Sequence, residues 1–434
     1  MLAGRRLAAR DASLSRNQGD PAPYRRSLGR AILLIEPSCN DQKQKDMTVK
    51  RFSVRLALTF CCIASVLPVL SSAHSDKPSK IRTYYLAADE VEWDYAPDGI
   101  DKMMGMGFDR WGKMFTERGP HSIGRVYRKA VYREYTDASF STLKQRAPEW
   151  QHLGILGPVL RAEVGDTIKV IFRNNATRPY SMHPHGVFYT KDSEGSVYDD
   201  GSAAAQKANS VVPPGQTHTY VWEVPDRAGP GPADGSSIVW LYHSHVDEQR
   251  DVNSGLVGPI IITARGMSGP DGRPKDVDRE FVNLFIVFNE NVSWYLDNNI
   301  QKYTSDPKGV DKLEGKPVDQ DGAFSFIGTG FSSANLRASI NGYMYGNGPL
   351  MTMKKGERVR WYLVSLGGVL DGHTPHWHGN TVLHRGHRTD VVPLAQAEME
   401  TADMVPDNPG IWMYHCHIDE HMVMGMMTRY QVEP

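Results

Sequence analysis

His415-Cys416-His417-Ile418-Asp419-Glu420-His421, followed by Met426, is the stretch on which the reading of this chain turns. Cys416, His421 and Met426 bring a thiolate, an imidazole and a thioether together at short spacing. That is the donor set of a blue-copper site with a weak axial sulfur. His415 and His417 flank the cysteine. On a strand the neighbours of Cys416 point to the opposite face, so they can grip a different ion while covalently joined to the thiolate. An electron taken up at one site then has a short bonded route to the next, which points to redox chemistry.

Working outward, ten of the sixteen histidines fall in four clusters. They are His183-Pro184-His185-Gly186, His243-Ser244-His245, His373-Thr374-Pro375-His376-Trp377-His378, and the cysteine segment itself. Alternate histidines on extended chain point the same way and can hold one ion or two adjacent ions. A single His-x-His is more often an ordinary surface or core feature. Four of them, one enclosing a cysteine, point to metal. Zinc prefers four ligands per site and has no redox use for Cys, His and Met; the thioether of Met426 favours copper.

The remaining cysteines sharpen this. Cys39, Cys61 and Cys62 precede residue 74. Lys50, Arg51 and Arg55 introduce an apolar run from Leu56 to Leu70, and Ser71-Ser72-Ala73 follows. This pattern is expected to be a secretory signal peptide over residues 47–73, cleaved after Ala73, with an uncleaved anchor as the alternative. Residues 1–46 precede it and are expected to be a disordered extension, with Met47 the better start. Cleavage would leave Cys416 alone, unable to form an internal disulfide, and metal ligation would use and protect it. The protein is then expected outside the cytoplasm, extracellular or periplasmic. A net charge of -1 argues against a nucleic-acid partner or a polybasic membrane anchor.

The body of the chain reads as all-β. Gly 40 and Pro 27 give frequent turns. Thr167 to Phe172, His218 to Val224 and Gly258 to Thr263 read as strands, followed by a polar Gly/Pro linker over residues 266–280. Phe281 to Phe288, Arg358 to Val364 and Met427 to Val432 repeat the theme. Val164-Gly165-Asp166-Thr167 and Lys355-Gly356-Glu357-Arg358 each precede a strand that leads to a histidine motif. The spacing predicts a duplicated β-sandwich of about 150 residues, with domains at residues 74–265 and 281–434. No long amphipathic helix is expected.

The four motifs, in order and spacing, resemble those of the multicopper oxidases. Much of the remainder is similar to the ceruloplasmin–hephaestin–coagulation-factor branch. Gly124 to Tyr132, Leu156 to Leu160, Tyr242 to Asp247, Ser254 to Pro259, Ser293 to Ile300 and Asn341-Gly342-Tyr343 carry that likeness. The resemblance implies two cupredoxin-like Greek-key domains and four coppers per subunit. His373, Cys416, His421 and Met426 would hold type 1 copper. His183 and His376 would hold type 2. His185, His243, His245, His378, His415 and His417 would hold the type 3 pair, the last three coppers forming one cluster that reduces dioxygen to water. The resemblance also implies a homotrimer, because small two-domain oxidases complete each cluster across a subunit interface.

The reducing substrate is left open between Fe(II), Cu(I) and a phenol or aromatic amine. Glu420 matches one acidic position of ceruloplasmin-type iron sites, yet the glutamate and histidine expected before Asn341 are Ser333 and Ala338. Glu420 reads equally as a solvated acid. Methionines crowd the chain at Met103, Met104, Met106 and Met114, and again at Met413, Met422, Met424 and Met427. Thioethers prefer Cu(I), although core packing is the expected role for most of them. Asp200 stands where related oxidases place a proton-relaying aspartate, and Asp199-Asp200-Gly201 is also ordinary turn chemistry. The alternatives are copper carriage without turnover and a copper nitrite reductase-like enzyme. Stable membrane insertion is not expected. Asn175-Ala176-Thr177 and Asn291-Val292-Ser293 are glycosylation sequons.

Overall fold

A computed structural model of the protein describes residues 79–201, 211–313, 330–367 and 372–434. The expected extension and signal segment, with their cysteines, lie outside the described residues. In the first half the strands are β1 Ile81–Asp94, β2 Val126–Tyr135, β3 Leu160–Glu163, β4 Thr167–Asn174, β5 His183–Pro184, β6 Thr217–Glu223, β7 Ser237–His243 and β8 Val257–Thr263. In the second they are β9 Arg279–Asn289, β10 Leu336–Ile340, β11 Met351–Lys354, β12 Val359–Ser365, β13 Pro375–Trp377, β14 Val382–His384, β15 His387–Thr389, β16 Met399–Met404, β17 Gly410–Cys416 and β18 Met427–Glu433.

The strands make four sheets: β2-β1-β4-β6 and β3-β8-β7-β5, then β10-β9-β12-β16-β14-β15 and β11-β18-β17-β13. The second pair repeats the plan of the first. β1 runs antiparallel to β2 and parallel to β4, and β9 stands in the same relation to β10 and β12. β8 is parallel to β3 and antiparallel to β7, as β18 is to β11 and β17. The all-β expectation holds, and each strand expected from the sequence forms within about a residue or two of its place. Among the described residues the helices are short; none is long and apolar enough to cross a membrane.

Alternation explains the sheets. In β4, Ile168, Val170 and Phe172 are buried while their neighbours are not. β12 is buried along its whole length. Its Trp361 stands between Phe281, Trp377, Tyr414 and Tyr430, with ring centroids 4.8, 5.6, 5.2 and 5.8 Å away. This aromatic core backs β13 and β17, the strands that carry His376 and His415, and offset or edge packing of that kind fixes ring positions.

Buried polar contacts tie the halves together. Asn341, at φ +53°, donates its side-chain amide to the carbonyls of His152 (2.7 Å) and Val282 (2.8 Å) and accepts from Leu284 N (2.7 Å). Asparagine tolerates that left-handed conformation better than most residues. A side chain at Gly154 would collide with the Asn341 carbonyl at 2.2 Å. Lys129 of β2 pairs with Glu290, just past β9, with both side chains fully buried.

Candidate metal centre

The first-half histidines meet where β5 lies antiparallel to β7, with His183 opposite His243. In the second half β13 lies against β17 with His376 opposite His415. The two arrangements match bond for bond. His185 N donates to Leu241 O (2.8 Å) and His378 N to Met413 O (3.0 Å). His185 Nε2 lies 3.1 Å from His243 Nε2, and His378 Nε2 lies 3.1 Å from His415 Nε2.

Backbone carbonyls set the tautomers. Nδ1 of His183 faces Glu194 O (2.7 Å), Nδ1 of His243 faces Ser244 O (3.1 Å), Nδ1 of His376 faces Asp390 O (2.9 Å) and Nδ1 of His415 faces Cys416 O (2.8 Å). A carbonyl can only accept, so each Nδ1 carries the proton and each Nε2 presents its lone pair. Two nitrogens each about 2 Å from one ion, at an angle near 100°, stand about 3 Å apart. The facing Nε2 pairs have that spacing, and a second partner locking the far nitrogen is the usual support of a ligating imidazole. Burial, with neighbouring imidazoles adding to it, depresses His185 to about 4 and His243 to about 3, so both stay neutral and able to ligate. His378 and His415 are lowered for the same reason.

His245 and His417 complete the two sets less tightly. The His245 ring is 5.1 Å from that of His183, and the His417 ring is 5.4 Å from those of His376 and His415. His245 Nδ1 lies 3.1 Å from Ser196 Oγ, and its Nε2 lies 3.3 Å from the exposed carboxylate of Glu248.

The third group is His373, Cys416 and His421, all buried. His421 Nδ1 stands 3.5 Å and His373 Nδ1 4.0 Å from the Cys416 sulfur. Trigonal ligation with metal–sulfur near 2.3 Å and metal–nitrogen near 2.0 Å puts sulfur and nitrogen about 3.7 Å apart. A helical turn, Asp419–Val423, carries the chain from β17 back to β18. Met426 N then bonds His421 O (2.9 Å) and Cys416 N bonds Met426 O (3.1 Å), which brings Met426 beside the group. Burial pushes the Cys416 thiol up, but the hydrogen bonds from His421 and the Thr374 backbone outweigh it and hold the thiol below its usual value. His373 is depressed to about 3 by burial and by His421. The donor set therefore fits copper.

Cys416 and His415 serve different groups although adjacent, as strand alternation predicts. The Nδ1–H of His415 also donates to the carbonyl of Cys416, a second link beside the bonded one. Among the described residues no metal-holding group combines histidines of the two halves.

Glu420 is exposed on the Asp419–Val423 turn. Asp200 lies 3.1 Å from Lys191 Nζ, which also bonds Glu194 at 2.7 Å, the residue whose carbonyl holds His183. Ser333 and Ala338 are buried, so neither position offers an exposed iron ligand. Of the methionines in the two runs Met424 is buried, Met103, Met114, Met413, Met422 and Met427 are half-buried, and Met104 is 70% and Met106 61% exposed. The last two sit at the end of a two-residue bridge, Asp101↔Met106, which holds them clear of the core. The sequence reading missed the supports behind each His-x-His-Gly. A side chain at Gly186 would strike Trp240 and one at Gly379 would strike Trp412, at 2.2 and 2.5 Å. The signal was present as Trp240-Leu241-Tyr242-His243-Ser244-His245 and Trp412-Met413-Tyr414-His415-Cys416-His417.

Two family models described as multicopper oxidase match residues 153–266 and 319–434, together more than half of the chain. The chain belongs to the multicopper oxidase family. It is 44% identical to mouse ferroxidase HEPHL1 over 354 residues, 81% of this chain and 29% of that protein. It is 42% identical to human hephaestin over 356 residues and 40% identical to human ceruloplasmin over 358 residues, covering 29% and 30% of them. The chain thus spans less than a third of the length of these relatives. A solved multicopper oxidase structure aligns with 81% of this chain and 89% of its own at 19% identity and a TM-score of 0.49. Membership of this family implies copper, and the three groups supply donors of the right type for it.

Proposed function

We propose that this chain is a secreted multicopper oxidase that couples one-electron oxidation of a reductant to four-electron reduction of dioxygen to water. The observation that carries the reading is the adjacency of Cys416 and His415, each serving a different ligand group, with a hydrogen bond shortening the route between them. In this reading His373, Cys416, His421 and Met426 hold type 1 copper, which accepts single electrons. His183 and His376 hold type 2 copper. His185, His243, His245, His378, His415 and His417 hold the type 3 pair, giving four coppers per subunit.

The residues 74–265 and 281–434 act as two cupredoxin domains, each contributing half of a cluster. The twin Nε2 pairs lie in separate groups, so the cluster is completed by a second copy of the chain in a closed head-to-tail homotrimer. The exposed apolar side chains of Phe188, Val197 and Tyr198, close in sequence to His185 and Ser196, support an interface there. Asp200 relays protons to the cluster through its Lys191–Glu194 contacts, and Glu420, which directly precedes His421 in the chain, is the acid assigned to the electron-entry side. Iron oxidation is the substrate reading supported by the likeness to ferroxidase HEPHL1, although Ser333 and Ala338 supply no hard ligand.

The test is oxygen uptake by the copper-loaded chain offered Fe(II), Cu(I) and a phenol in parallel, with copper counted. Uptake at four coppers per subunit supports the reading. No uptake from a fully loaded protein sinks it and leaves copper carriage.

A further inference from the structure

The two histidine sets match beyond their metal donors. His245 N donates to Ser181 Oγ (3.0 Å) as His417 N donates to Thr374 Oγ1 (3.1 Å). Tyr180 pairs with Val212 by two backbone bonds, as His373 pairs with Leu394. Ser244 N donates to Leu256 O (3.2 Å) where Cys416 N donates to Met426 O (3.1 Å). Leu256 N donates to Asp251 O (3.2 Å) where Met426 N donates to His421 O (2.9 Å). Along the backbone, Tyr180, Ser244, Asp251 and Leu256 thus take the places of His373, Cys416, His421 and Met426.

That change of side chains removes every soft donor and puts a hydrogen-bonded set there instead. The Ser244 hydroxyl donates to Asp251 Oδ2 at 2.7 Å and accepts from Ser181 N at 3.0 Å. Cys416 Sγ accepts from Thr374 N in the corresponding contact. Asp251 is fully buried and also accepts from Val246 N (3.1 Å), Asp247 N (3.1 Å) and Trp294 Nε1 (2.8 Å). A buried carboxylate is costly unless its oxygens are satisfied, and four donors satisfy this one. Ser244 lies between His243 and His245, and Val246 and Asp247 directly follow. The carboxylate therefore grips the chain on both sides of His245. The Tyr180 hydroxyl is turned to that of Tyr295 (3.1 Å), which occupies the last of the four positions.

We propose that Asp251 is a positioning residue for the first-half donors, bracing His243 and His245 through hydrogen bonds where the second half places a metal-ligand set. The proposal rests on the oxidase reading for what those histidines hold. A brace of hydrogen bonds needs no metal, so His243 and His245 are in place before copper arrives. His415 and His417 become equally fixed only once Cys416 and His421 are ligated. Supports behind ligating imidazoles act in this way on affinity without touching the ion.

Two variants of the full chain test this. Asp251→Asn leaves one acceptor oxygen for four donors, and Ser244→Ala removes only the hydroxyl. Each is compared with wild type, metal-free and copper-loaded, by amide hydrogen exchange, copper counting and the visible thiolate band. In metal-free wild type the Ser181, Val246 and Asp247 amides should be as protected as in the loaded protein, while Thr374 and Met426 exchange about tenfold faster than when loaded. Asp251→Asn should speed exchange at Val246 and Asp247 about tenfold or more, and Ser244→Ala should do so at Ser181. Both variants should fall from four coppers per subunit towards one with the Cys416 band kept, which a general loss of folding would not do. Unchanged exchange at those amides, or four coppers retained by Asp251→Asn, overturns the proposal. If Asp251→Asn unfolds, losing the band and the protection of β12 together, Ser244→Ala decides by the same readings. A copper-loaded wild type that consumes no oxygen with any reductant overturns the oxidase reading alone, because exchange and copper counts judge the brace without turnover.

Discussion

The backbone N–H of Thr374 approaches the sulfur of Cys416 at 3.4 Å, and the Thr374 hydroxyl lies 3.8 Å from the same atom. Hydrogen bonds to a ligating sulfur draw charge from it, favour the reduced ion and raise the potential of such a site. Thr374→Val keeps the shape and the N–H but loses the hydroxyl. The type 1 potential is expected to fall by a few tens of millivolts, the equivalent of about one hydrogen bond. Redox titration of the visible band measures it, and an unchanged or raised potential would rule out the hydroxyl as a donor to sulfur.

Lys129 and Glu290 set a second expectation, for stability. Lys129 Nζ also donates to Asn253 O (2.7 Å), and Glu290 Oε1 accepts from Tyr95 OH (2.6 Å). Removing one partner of a buried pair strands the other charge, which costs about 3–5 kcal/mol. Lys129→Met should lose about that much in denaturant unfolding. Lys129→Met/Glu290→Gln should recover much of it, because a neutral amide can still accept from Tyr95. A double variant no more stable than the single one would show that the pair is not the cause.

These two cases divide what the sequence makes legible from what it does not. Ligand chemistry needs particular residue types at fixed spacing, so His183, His185, His243, His373, His376, His378, His415, Cys416 and His421 could be singled out as ligand candidates from the primary structure; the structure gathers His183 with His185 and His243, His376 with His378 and His415, and His373 with Cys416 and His421. The duplicated strand plan was legible because alternation and turn residues repeat. Lys129, Glu290 and His152 were invisible. Their meaning depends on partners far away in sequence, which no local pattern encodes. Methionine was ambiguous for a different reason: the same side chain fills cores at Met424 and stands in solvent at Met104, and only the Asp101 turn separates the two.

His152 should make folding acid-sensitive. It is buried, its Nδ1 donates to Glu149 O (2.8 Å) and its Nε2 accepts from Val282 N (3.1 Å), so protonation would destroy the second bond. Burial holds it down to about 4. An unfolded histidine protonates near pH 6.5, so between these values the unfolded state binds the extra proton. Stability is therefore full above about pH 6.5 and falls by about 1.4 kcal/mol per unit as pH drops towards 4. His152→Gln can keep both hydrogen bonds and does not titrate. In the copper-loaded chain it should lose less stability than wild type over that window, by about 3 kcal/mol at its lower end. Parallel denaturation curves for the two proteins at every pH would remove His152 from the account.

Subunit exchange tests the shared cluster. His185→Gln/His243→Gln disables the first-half pair, and His376→Gln/His378→Gln disables second-half ligands. Neither touches the Cys416 group, so both should keep the visible thiolate band and neither should consume oxygen alone. In a head-to-tail ring each cluster takes its first half from one subunit and its second from the next. A mixed trimer then contains one interface at which an intact first half meets an intact second half. Equal mixing makes about three quarters of the trimers mixed, each with one working cluster of three, so about a quarter of wild-type uptake should return. If each chain completed its own cluster, mixing would restore nothing, because every chain would carry a broken half. Recovery that depends on exchange, absent when the two proteins are combined without dissociation, distinguishes a shared site from a contaminating activity.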